Sequence, residues 1–188
     1  MDDEQMTMDL GVSVEQTAWG NWVDRDRRAI QVRNFLIRAG LPALPPEPWD
    51  FESEEAIQIS DMIAELFPDV EAVRIPENAD AVDQLVCLIG EWFVRYLDAR
   101  WLDLTNMPPG YNDCADISIY DGIKPGVAFK FHDWTTCTAD LLVKFAIEQE
   151  FIRIIELVSV GFWRLRKGGS PTFAELSTGY FADHPPFL

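Results

Sequence analysis

Residues 79–105 read ADAVDQLVCLIGEWFVRYLDARWLDLT, and a change of rhythm within them decides the fold class. Val82, Leu85, Val86, Ile89, Trp92, Phe93 and Tyr96 recur every three or four residues, the spacing of one helix face. Asp83, Glu91, Arg95 and Asp98 fall elsewhere around that wheel, on the side expected to meet water. From Trp101 to Thr105 the period drops to two, as in a strand. A long helix running into extended chain, with more helices on either side, predicts an α+β domain. It is mainly helical, with a small antiparallel sheet (a hairpin plus one strand) packed against long helices.

Toward the N-terminus, residues 17–39 read as one helix. Trp22, Ala29 and Leu36 repeat every seven residues, with Val23, Ile30 and Ile37 beside them as a single apolar stripe. Asp24 and Asp26 lie toward its start, Arg33 and Arg38 toward its end, and Gly40-Leu41-Pro42 stops it. Pro42, Pro45, Pro46 and Pro48 make a stiff connector to Trp49. Ser53 then caps a second helix with an apolar face of Ile59, Met62, Ile63 and Leu66. Val73 to Ile75 reads as a short edge strand.

Toward the C-terminus, residues 116–120 and 127–131 alternate as two strands of a hairpin around the turn 121–126. Thr135 or Thr138 caps a last long helix reaching about Leu165, apolar nearly all round and stopped by Gly168-Gly169. Thr172 and Glu175 fit a capping box for one further turn. The domain is expected to span 17–176, between an acidic, flexible N-terminus (1–16) and a C-terminal tail (177–188).

Apolar residues make up 48% of the 188, with 7 Trp and 12 Phe, enough for a core and too many for a disordered chain. Trp19, Trp22, Trp92 and Trp101 fall at core positions, whereas Trp49 and Trp134 lie in connectors where an exposed indole could anchor a partner. The start Met1-Asp2-Asp3-Glu4 is acidic where a secretory signal needs positive charge. The most apolar run, 151–163, is interrupted by Arg153 and Glu156 and is too short to span a bilayer. Cys87, Cys114 and Cys137 are odd in number and widely spaced, which fits a reducing compartment. A cytoplasmic location is expected.

Net charge is −17, and it is unevenly placed. Residues 47–83 hold twelve acids against Arg74 alone, a net −11, whereas 17–46 hold five bases and two acids, a net +3. Such a chain repels nucleic-acid phosphates and anionic membranes and attracts basic partners. The expected partner-binding residues are Glu52, Glu54, Glu55, Asp61, Glu65, Asp69 and Glu71.

Catalytic signals are sparse. No glycine-rich phosphate loop joins a strand to a helix, and no nucleophile elbow is present. The densest reactive cluster is Asp113, Cys114 and Asp116 with His132 and Cys137, which the expected hairpin would bring together. A His beside carboxylates can serve as a general base or metal ligand, and a Cys at a helix start can hold a thiolate. Too few ligands lie nearby for a metal site, so neither a metal nor another cofactor is expected.

The segment Ile89-Gly90-Glu91-Trp92-Phe93-Val94-Arg95-Tyr96-Leu97, followed by Arg100-Trp101-Leu102-Asp103, resembles a pattern in small uncharacterised bacterial proteins. In these a helix bearing Ile-Gly-Glu leads into a Trp-bearing strand, and some of them are immunity proteins beside toxins. The resemblance runs from Ala79 to Phe131. It implies a helix–strand–hairpin unit and assigns no functional residue.

The leading functional expectation is therefore an immunity-protein-like inhibitor whose acidic surface covers a basic protein, a toxin being the concrete case. Two alternatives stand beside it. One is an enzyme centred on His132 with Asp113, Asp116 or Cys137; the other is a structural or assembly subunit of a larger complex.

Overall fold

The computed structural model describes residues 17–106, 117–129, 136–148 and 150–169. The elements run α1 (Ala18–Trp22), α2 (Arg25–Arg38), α3 (Glu54–Leu66), α4 (Ala79–Leu97), β1 (Arg100–Asp103), β2 (Pro125–Ala128), β3 (Thr136–Thr138), α5 (Ala139–Glu148) and α6 (Phe151–Arg166). The chain is thus mainly helical with one small antiparallel sheet, ordered β1-β2-β3.

α4 is the axis of the fold. All ten residues from Ala81 to Gly90 are buried, because α2, α5, α6 and the sheet all pack on it. A helix covered on every side needs an apolar surface all round. Leu85, Cys87, Leu88, Ile89 and Trp92 are each 0% exposed. The helix ends where Asp98 turns left-handed (φ 52°, ψ 32°) and Ala99 N–H reaches back to the Phe93 carbonyl at 3.3 Å. The chain then doubles back as β1, and the Trp101 ring lies against Gly90. A Cβ added at Gly90 would fall 1.9 Å from that ring, so the glycine makes room for the indole.

β1 pairs with β2 (Trp101 opposite Val127) and β2 with β3 (Val127 opposite Cys137). Pro125, which cannot donate to a ladder, occupies the first position of β2, where proline is tolerated.

The helix expected over 17–39 is two helices. The Asp24 carboxylate accepts the Arg27 N–H at 2.9 Å and starts α2 afresh as an N-cap. α2 buries Val32, Phe35 and Leu36, and Ile30 and Ile37 fall on the opposite side of that helix, 53% and 63% exposed, outside the apolar stripe expected of them. Ser53 does cap α3, accepting the Ala56 N–H at 3.2 Å. Val73 and its neighbours form a 3-10 helix, Val70–Arg74, in place of the expected strand, because the Asp69 carboxylate caps it through the Ala72 N–H at 3.0 Å.

Residues 117–120 form no strand. The Ile119 N–H donates to the Asp140 carboxylate at 3.1 Å, so the backbone is satisfied by a side chain in place of a ladder, and the expected 116–120/127–131 hairpin does not form. Thr138 accepts the Leu141 N–H at 3.2 Å and caps α5. The long terminal helix breaks at Glu150 (φ 66°, ψ 135°), which delivers fully buried Phe151 toward Trp92 (ring centroids 6.4 Å). Gly168 (φ 77°) and Gly169 end α6 through bonds to the Leu165 and Arg164 carbonyls. Trp49 is half-buried and packs on Trp92 with ring centroids 4.5 Å apart, so it belongs to the core wall. The two termini (1–16 and 177–188), Trp134 and the Thr172–Glu175 pair lie outside the described residues.

The glycine at 90 gives a direct check. In an open helix, Gly→Ala gains roughly 1 kcal/mol. Here the Trp101 ring blocks the new methyl, so Gly90→Ala is expected to lower stability by about 1–3 kcal/mol in urea denaturation.

Candidate functional site

The seven acids singled out from the sequence are all exposed. On α3, Glu54, Asp61 and Glu65 stand at i, i+7 and i+11, which places them within about 40° of one another around the helix. The buried face of the same helix (Ala56, Ile59, Ile63) points the opposite way. With 13 residues α3 carries this stripe over about 20 Å. Glu52 and Glu55 flank its start, and Asp69 and Glu71 follow its end. Among the described residues only Glu71 of the seven is in an ion pair, with Arg74 at 2.8 Å. Asp69 also serves as the 3-10 cap.

The second sequence candidate separates. Asp113, Asp116 and His132 lie outside the described residues. Cys137 is 0% exposed in β3, two residues ahead of α5, and its thiol lies 3.5 Å from the Thr138 carbonyl oxygen. A nucleophile needs access, and this sulfur has none. Among the described residues no three His, Cys, Asp or Glu side chains converge to hold a metal ion.

Two buried carboxylates escaped the sequence reading. Asp83, placed on the wet side of the wheel by its spacing, is 8% exposed in the heart of the molecule. Its Oδ1 accepts from Trp22 Nε1 at 3.1 Å and from the Tyr120 hydroxyl at 2.7 Å. Its Oδ2 accepts from Arg27 Nη2 at 2.5 Å and from Gln31 Nε2 at 2.6 Å. Burial pushes its pKa up. The hydrogen bonds from Arg27, Tyr120 and Gln31, with the charge of Arg27, outweigh that and hold the group below its ordinary 3.8. Burial, then the charge of Asp83, pushes Cys87 up to about 12 and keeps it a thiol. The same two causes push Tyr120 far up, so it remains a hydrogen-bond donor.

Beside this cluster, Glu91 accepts from Trp101 Nε1 at 2.8 Å and pairs with Arg28. Arg27 and Arg28 lie over the Trp22 and Trp101 rings at 5.3 and 5.6 Å. Every acceptor of Asp83 is occupied, so the cluster has no free group for chemistry. It is a clamp.

Asp140 is the second. It is 7% exposed, borders an open cavity of about 310 Å³ with Thr105, Ser118 and Lys124, and bonds the Ile119 N–H. Burial raises its pKa, and the Ile119 bond and the Lys124 charge only partly offset that.

Comparison with protein families, with curated proteins and with solved structures finds no match to this chain. Among the described residues no helix is long and apolar enough to cross a membrane.

The clamp makes a pH-dependent contribution. Because Asp83 is held below its ordinary pKa when folded, its stabilisation is present above pH ~4 and lost as pH falls through the folded value. Asp83→Asn is expected to cost ~3 kcal/mol at pH 7, as breaking a buried ion pair does. Denaturation at stepwise lower pH should show that gap closing.

Proposed function

We propose that this chain is a cytoplasmic protein-binding inhibitor of the immunity-protein kind, with the acidic strip of α3 and its flanks as the contact surface. The observation that carries the reading is the outward stripe Glu54, Asp61 and Glu65: exposed, in line, and without a basic partner among the described residues. Several arginines are paired with other acids. Arg27 and Arg28 serve Asp83 and Glu91, and Arg166 serves Glu47 at 2.5 Å.

Like charges left side by side repel one another and destabilise the compact state. A basic protein surface would relieve that repulsion, and long-range attraction would speed the encounter. The occupant is a cationic protein, with a nuclease toxin as the concrete case, because a nuclease must itself present positive charge to phosphates. Covering such a surface would block its substrate.

Affinity capture from the source cells with quantitative mass spectrometry tests this. At about 50 mM salt, basic proteins should be enriched on the wild type, and enrichment should fall at about 500 mM, where screening is severe. The quadruple variant Glu54→Lys, Asp61→Lys, Glu65→Lys, Glu71→Lys should lose at least ~10-fold, equivalent to about 1.4 kcal/mol. Equal capture by wild type and variant, or indifference to salt, would contradict the reading.

A further inference from the structure

The molecule carries a second charged feature of the opposite sign. α2, the start of the proline connector and α4 border a groove of about 380 Å³. Arg25, Arg33 and Arg95 stand around it, and Val32, Leu36 and Leu44 contribute apolar lining. The α2 residues follow from helical spacing: Arg25, Ala29 and Arg33 at i, i+4 and i+8 share a face.

The arginines do no evident structural work. All three are exposed, and none is in an ion pair among the described residues. Among the described residues Arg95 has only the Tyr96 ring, at 5.8 Å. Glu91, the one acid at the groove, is already engaged by Arg28 and the Trp101 indole. Three guanidinium groups around a small recess repel one another, and an anion placed among them relieves that repulsion.

Guanidinium is planar and forked, the match for a carboxylate taken in two-point contact. The floor takes an apolar group. Ala29, Pro42 and Ala43 extend the apolar lining beside the arginines. Carboxylates alternating with apolar side chains are the chemistry of an acidic peptide. A nucleic acid has no use for an apolar floor and is repelled by a chain of net charge −17.

The geometry points to this groove as a docking site for an acidic, apolar-bearing peptide segment of a partner protein. Its carboxylates meet Arg25, Arg33 and Arg95, and one apolar side chain rests on Val32 and Leu36. The site goes beyond the acidic-strip reading and does not depend on it, so the molecule would hold a basic surface on one feature and an acidic segment on another.

The test is fluorescence anisotropy of the full chain with a labelled ten-residue peptide alternating Asp and Leu. Saturable binding is expected, weakened at least ~10-fold by Arg33→Glu with Arg95→Glu and at least ~5-fold when the probe's Leu are replaced by Ser. Arg38→Glu, an exposed α2 change outside the groove lining, should leave affinity within about twofold. All these arginines are exposed, and circular dichroism verifies that each variant is folded. Three results would overturn the proposal: no saturable binding, equal binding of the Ser probe or of an oligothymidylate of the same length, or indifference to the double charge reversal.

Discussion

One ionised carboxylate in the middle of the molecule fixes where several other pieces can go. A buried charge is tolerable only when its lone pairs are all occupied and an opposite charge is at hand. Asp83 lies on the buried half of α4, and its four donors come from three separate stretches: Trp22 on α1, Arg27 and Gln31 on α2, and Tyr120 far along the chain. The break between α1 and α2 is part of that arrangement, with Trp22 from one side of it and Arg27 from the other meeting the same carboxylate. The aromatic rings close over it. Trp22 is edge-on to both Trp101 and Tyr120, with centroids 5.0 and 5.5 Å away, and stacks on Trp19 at 5.6 Å.

That inward demand shapes the outside. Residues 17–46 carry five of the chain's 15 basic residues, and two of them, Arg27 and Arg28, pair with Asp83 and Glu91. Further along, Arg153 pairs with Glu156 and Arg166 with Glu47. The outward acids of α3, Glu54, Asp61 and Glu65, have no ion-pair partner among the described residues. The arginines at 25, 33 and 95 are in no ion pair among the described residues, and Glu91 beside them is taken by Arg28 and the Trp101 indole.

Legibility in the sequence followed the range of the interaction. Ser53, Thr138 and Gly168-Gly169 act within five residues of themselves, and each does what its type and position predict. The 3.6-residue rhythm of α4 is equally local and locates that helix. The α1–α2 break carries only a capping Asp24, with no Gly or Pro to mark it, and Glu150 carries no turn signal at all. Residues 117–120 look like a strand by alternation, but a carboxylate 21 residues away takes the Ile119 amide that a ladder would have needed. Asp83 was hidden for the same reason. A helical wheel assigns a charge to water, and only partners 37 to 61 residues distant make burial affordable. The acidic face of α3 was visible because exposure and helical spacing are both read from the segment itself.

The claim on which this architecture rests is that Asp83 remains charged inside the protein, held by Arg27 and its neutral donors. Titration of its carboxyl carbon by ¹³C NMR, assigned with the Asp83→Asn variant, measures that directly. The midpoint should fall below 3.8, the ordinary value, and move upward when Arg27 is replaced by Met. A midpoint above 3.8 in the wild type would mean that burial outweighs the donors, and the clamp would not be the centre of this fold.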